Sequence, residues 1–366
     1  MNRPAPFPVQ RAAVIAAALL ALTAAPLAAQ EKVLLLINGA LGDKSFFDSA
    51  ANGMALIEEK HGDAVETRVL EIGEDPTGWE PALLDVSEQD WDLIIGGTYS
   101  MSEVFGAVAE QYPDNRYILF DASLPYENGS FANVYSVQYQ QNEGSYLGGM
   151  LAAGLLQSGA LPADSGTALG FSGGMDIPVI NDFLVGYIAG AQAVMPQVKV
   201  AVAYIGSFSD AAKGKELGLA QYRSGVAVSF VAASQAGLGQ LSAARETGRY
   251  VLGVDSDQEA IFAQSDPAIA AQVASSVLKN VDVSLLRAYD LYAGGTLPFG
   301  TVETIGLAEG AVGLVETGNM ARLAPPELIA AIDAAKADIA AGTLVVPTAF
   351  GMTTEAIGAL RDSVRP

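Results

Sequence analysis

The chain is predicted to fold as α/β, in two doubly wound parallel-sheet lobes that face each other across a cleft. Short apolar runs alternate with amphipathic helical patterns along its length, the mark of parallel strands joined by crossover helices. The alternation starts afresh near residues 137–150, so a second sheet follows the first. Beyond an N-terminal leader, over 330 residues remain, enough for two domains.

The elements follow in order. "KVLLLIN" leads into a helix starting near Ser45, "WDLIIGGT" into "SMSEVFGAVAEQY", and "RYILFDA" is a third strand. After the division come "GTALGFSGG" with "NDFLVGYIAGAQAV", "VKVAVAYIGSF" with "DAAKGKELGLAQYRSG", "VAVSFVAAS" with "GLGQLSAARETG", and "RYVLGVDSDQ". "YPDNR" and "RSGVA" supply the turn chemistry between helix and strand. "APPELIAAIDAAKADIAAGTL" reads as an amphipathic helix docked on a lobe. The expected division is 1–29 as leader, 30–136 with about 256–282 as the first lobe, 137–255 with about 283–348 as the second, and 349–366 as a tail.

The leader is a secretory signal peptide: Arg3 and Arg11 precede an apolar stretch from Ala12 to Ala25, and "PLAAQ" offers small residues for cleavage after Ala29. No cysteine is present, which excludes disulfides, thiol chemistry and a lipid anchor on cysteine; the mature protein is expected free in the periplasm. His61 is the only histidine and sits in "EEKHGD", read as a solvated helix end, so a histidine-rich metal site is excluded and neither metal nor cofactor is expected. The formal charge of −22 becomes −24 once the leader is removed, a field that repels phosphate backbones and makes nucleic acid an improbable partner. An apolar fraction of 51% with 16% charged residues describes a packed globular protein, expected to be a monomer, rather than an acidic disordered chain.

"GFSGG" matches the Gly-x-Ser-x-Gly nucleophile elbow and is read at a strand-to-helix turn, but an elbow serine needs a downstream histidine base and the chain has none. "GLG" at 237–239 is only a fragment of a phosphate loop. Asp43, Asp121, Asp255 and Asp257 stand at ends of expected strands, where open parallel sheets bind ligands, and Lys279 follows in "SSVLKNVD". Each aspartate alone fits a helix cap or turn equally well. Together with aromatic faces they describe a pocket for a flat, neutral, hydroxyl-bearing molecule such as a nucleoside. Phe47 falls in line with Ala50, Met54 and Ile57 on a core stripe that Phe46 shares only in part, so one ring is read as packing the lobe and the other as stacking on the ligand from the cleft; Phe46 and Phe47 are both candidates for the site, with Phe183 as the counterpart in the second lobe. Asn38 and Tyr99, beyond the first two strands, complete the first lobe's candidates.

Five segments in order, "GDKSFFDSA", "QNEGSYLGGMLAA", "GFSGGMDIPVINDFLVGYIAGA", "GSFSDAAKGKELG" and "GVDSDQ", followed by "SSVLKNVD", resemble the basic membrane protein group of periplasmic binding proteins, whose purine nucleoside receptors feed ABC importers. The similarity runs from about Lys32 to Thr348. It implies a type I binding-protein fold, with Phe46 and Phe183 stacking on a base, Asp43 and Asp121 on the base side, and Asp255 and Lys279 holding the ribose; spacing leaves Asp255 and Asp257 both open for that part. It also implies an ABC permease in the inner membrane as partner. Two departures bear on the ligand. Phe47 stands where purine receptors carry asparagine, and "SQAGLG" replaces a glycine-rich turn and brings Gln235 toward the pocket. The expectation is a receptor without catalysis for a nucleoside-like ligand; the alternatives are a different flat heterocycle, such as a free base or flavin, an exported nucleoside-acting enzyme, or a sensory module.

Overall fold

The computed structural model describes Met1, Asn2 and residues 30–366, so nearly all of the expected leader lies outside the described residues. Twelve strands are described: β1 (Glu31–Ile37), β2 (Val65–Glu71), β3 (Leu93–Gly97), β4 (Tyr117–Phe120), β5 (Val134–Tyr139), β6 (Ala168–Gly173), β7 (Val200–Tyr204), β8 (Val226–Ala232), β9 (Tyr250–Asp255), β10 (Val273–Lys279), β11 (Thr301–Ile305) and β12 (Val312–Leu314). They form two six-stranded sheets, β11-β5-β4-β3-β1-β2 and β12-β10-β9-β8-β6-β7. Every pairing is parallel except β10 with β12.

The central strands are apolar throughout because helices cover both faces; β3, β4 and β8 are buried along their whole length. In the second lobe two long helices, Gln141–Ser158 and Pro178–Val194, lie backbone against backbone. A Cβ on Gly149 would come within 2.1 Å of the Tyr187 carbonyl oxygen, and one on Gly190 within 1.9 Å of that of Tyr146. Glycine at both positions is therefore what sets the helix spacing. The helix Pro326–Ala340 docks on Gln141–Ser158, with Leu328 filling the space above Gly154.

The lobe crossings differ from the expected division. Residues 256–282 were assigned to the first lobe and 283–348 to the second, yet β10 pairs with β9 inside the second sheet. The helix Val281–Ala293 and β11 then return to the first lobe, and β12 goes back to the second. Side-chain fit explains this. Val281, Leu285, Ala288 and Tyr289 form an apolar stripe that packs in one cluster with Ala50, Met54 and Ile57 of the first lobe. The last residues also do more than trail: Thr354–Val364 is a helix that buries Ile357 and Val364.

Candidate functional site

Between the lobes, at the carboxyl ends of both sheets, lies a cavity of about 360 Å³. Four residues beside it, Thr98, Asp121, Ser234 and Asp255, follow or end β3, β4, β8 and β9 with φ of 84°, 57°, 48° and 65°. Non-glycine residues in the left-handed region cost on the order of 1 kcal/mol each and gather where function fixes them. Each lobe thus turns two consecutive central strand ends sharply at the cleft.

Nine of the eleven expected residues line this cavity: Asn38, Phe46, Phe47, Tyr99, Asp121, Phe183, Gln235, Asp255 and Lys279. Phe46 and Phe47 do not divide between core and cleft: both rings are buried in the lobe and both line the cavity. Phe47 packs edge-on to Phe46 with centroids 5.3 Å apart and covers Gly39, whose added Cβ would meet the ring at 2.4 Å, so its far side joins the cavity wall. Two residues do not line it. The Asp257 side chain accepts from the Ala260 N–H at 3.0 Å as the N-cap of Gln258–Ser265, which leaves Asp255 as the carboxylate facing the cleft. Asp43 is buried and saturated, accepting from the N–H groups of Ser45, Phe47 and Asp48 at 3.0–3.1 Å and from the Ser234 hydroxyl of the other lobe at 2.8 Å.

The polar centre is Lys279. Its side chain is 2% exposed, and Nζ donates to Asp121 Oδ1 at 2.8 Å, joining the end of β10 in one lobe to the end of β4 in the other. The same ammonium stands 5.5 Å from the Phe46 ring centroid, 4.9 Å from Phe183 and 5.4 Å from Tyr139. One cation thus gathers an aromatic face from each lobe. Burial pushes the Asp121 carboxyl up, with Lys279 opposing. Burial pushes Asp255 up to about 7 against the pull of Lys279, and the nearby charges of Asp43 and Asp121 add to the rise. Asn38 Nδ2 donates to Thr98 Oγ1 at 2.9 Å, while its buried Oδ1 has no partner among the described residues.

Trp79, Met175, Ile177 and Phe208 also line the cavity and were not expected there. Phe208 had a signal: it lies in "GSFSD", and the space it fills exists because Gly174 has no side chain, a Cβ there meeting the ring at 2.4 Å. Trp79 had none, since it reaches the cleft from the start of the helix Trp79–Ser87, remote in sequence from any expected strand end, whereas Met175 directly follows "GFSGG" at the end of β6. The serine of "GFSGG", Ser172, is inside β6 rather than at a turn. It is fully buried and donates to Gln221 Oε1 and Gln240 Oε1 at 3.1 and 3.3 Å, with no histidine near it. His61 is not a free helix end either; its Nε2 meets Asp290 Oδ1 at 2.8 Å.

A family model described as "ABC transporter substrate-binding protein PnrA-like" matches residues 30–337. This chain belongs to that family. Among its relatives is the ABC transporter nucleoside-binding protein BmpA of Lactococcus lactis, 32% identical over 271 residues that cover 71% of this chain and 72% of that one. Basic membrane protein A of Borreliella burgdorferi is 30% identical over 325 residues, covering 87% and 88%. In fold, an ABC transporter solute-binding protein from Aeropyrum pernix superposes with a TM-score of 0.78 at 24% identity, covering 91% of this chain and 97% of its own. The fold of the PnrA-like family therefore accounts for both sheets and the cleft, and substrate binding for an ABC transporter is the family's work. No described helix is long and apolar enough to cross a membrane.

Proposed function

We propose that this chain is a periplasmic receptor that holds a nucleoside, most simply a purine nucleoside, between its lobes and delivers it to an ABC permease without altering it. One observation carries the reading: Phe46 and Phe183, one from each lobe, meet at Lys279, with Asp121 and Asp255 at the strand ends beside them. Aromatic faces bind any base, with about 1–3 kcal/mol for each stacked ring, whereas carboxylates and an ammonium select hydroxyls and ring nitrogens. The relative in Lactococcus lactis whose name states nucleoside binding supports the same class. Phe47 in the wall supplies apolar surface where an amide would read a base edge, so discrimination among bases rests on Asn38, Gln235 and the carboxylates.

The test is thermal unfolding of refolded, ligand-stripped protein with nucleosides, free bases, flavins, amino acids and sugars. Ligand at 100 times its Kd stabilises by about 2.7 kcal/mol. The melting temperature is expected to rise with purine nucleosides and not with amino acids or sugars. A rise confined to another heterocycle overturns the nucleoside assignment and leaves the receptor. Conversion of the nucleoside, followed by chromatography, would overturn the absence of catalysis.

A further inference from the structure

The loop "GDKS" at 42–45 was expected to offer Asp43 to a ligand, yet its polar groups are turned toward the other lobe. Ser234 Oγ donates to Asp43 Oδ2 at 2.8 Å, Ser256 Oγ to the Ser45 carbonyl at 3.3 Å, and Gln258 Nε2 to the Lys44 carbonyl at 3.1 Å. Loop and donors are both built for the contact. Asp48 accepts from the N–H groups of Gly42 and Lys44 at 2.7 and 3.0 Å, and Lys44 adopts φ 57°, a conformation that costs a non-glycine residue energy. Across the gap, Gln258 is 2% exposed; its Oε1 accepts from Val254 N–H at 3.3 Å and its own N–H donates to Ser276 Oγ at 3.1 Å. A Cβ on Gly253 would strike that Oε1 at 2.5 Å, so glycine in β9 makes room for the amide. With its oxygen occupied inside its own lobe, the side chain has only Nε2 to offer the first lobe.

We propose that Gln258 is a positioning residue that sets the open–closed equilibrium of the two lobes, its amide N–H and the Ser256 hydroxyl latching onto the 44–45 backbone. Gln258, Ser256, Lys44 and Ser45 line no part of the cavity; the loop and its donors reach the wall through hydrogen bonds to the Val254 N–H, the Phe47 N–H and the Ser234 hydroxyl. It adds to the closed form whether or not a ligand is present, so every ligand that binds the closed form gains by one common factor. Direct ligand contacts, in contrast, change affinities ligand by ligand. The consequence for binding rests on the receptor reading above, whereas the consequence for shape does not.

The experiment is small-angle scattering of ligand-free wild type, Gln258→Leu and Ser256→Ala, with dissociation rates for two bound nucleosides, adenosine and guanosine. Wild type is expected to show a closed radius of gyration. Gln258→Leu should expand it and speed both dissociations by the same factor, about 2- to 10-fold, which is what one hydrogen bond supplies; Ser256→Ala should do the same to a smaller extent. A Gln258→Leu protein with wild-type scattering and rates overturns the proposal, as does a factor that differs between ligands. Should Gln258→Leu fail to fold, Ser256→Ala decides alone: unchanged scattering and rates refute the latch. Scattering needs no ligand, so failure to bind nucleosides would strike only the functional reading.

Discussion

Lys279 is the residue on which the cleft turns. A buried ammonium is tolerated because Asp121 pairs with it and three aromatic faces surround it. Removing one partner of such a pair leaves a naked charge and costs about 3–5 kcal/mol, whereas removing both costs far less. Lys279→Met is therefore expected to lower stability in urea unfolding by that amount, and the double variant Lys279→Met with Asp121→Asn to recover most of it; equal losses would mean that the pair contributes nothing. Asp255 carries a pH signature. Its carboxyl, raised to about 7 in the fold, has a value of about 3.9 in an unfolded chain. Between those values the folded state holds a proton that the unfolded state has lost, so stability falls as pH rises through this window and the cost is complete above it. Asp255→Asn escapes the cost, and its melting temperature should gain on wild type from about pH 4 to 7 and hold the gain above. Parallel curves across that range would show that Asp255 ionises like an exposed carboxylate.

At the scale of elements, alternating apolar runs and helix patterns were enough to locate β1, β3, β4, β6, β7, β8 and β9, but not β10, which carries Lys279 into the site. What the pattern could not reveal was which lobe receives an element. The stripe Val281, Leu285, Ala288 and Tyr289 would suit any apolar face; only its fit to the Ala50, Met54 and Ile57 side of Phe46–His61 places it. Glycine was likewise visible but not interpretable, since nothing in "YLGGM" or "YIAGA" tells that Gly149 and Gly190 serve a helix pair. Gly190→Ala would drive its Cβ into the Tyr146 carbonyl, an overpacking of backbone that costs about 1–3 kcal/mol. Chemical denaturation should show this loss with the folded secondary structure kept, and an unchanged midpoint would mean that the helices separate freely.

For the whole molecule, three crossings between the lobes at 140, 280 and 306–311 make opening a concerted motion of the strands that carry the site. Lys279 immediately precedes one crossing and Asp121 lies on the opposite lobe, so the pair, the latch at Lys44 and the Ser209–Glu74 hydrogen bond of 2.6 Å all report the same closed arrangement. Sequence alone determined the α/β class and the two lobes, and nine of its eleven candidate residues line the cavity, because hydrophobic period and strand-end position are local properties written in adjacent residues. Only the tertiary structure decided that Asp257 caps a helix, that Asp43 ties the lobes together, that Phe47 shares the wall with Phe46, and that Trp79 and Met175 reach the cleft. The reason is physical: a carboxylate or ring takes its role from whichever donors and surfaces the folded chain brings within a few ångströms, and those come from residues as far as 191 and 214 positions away.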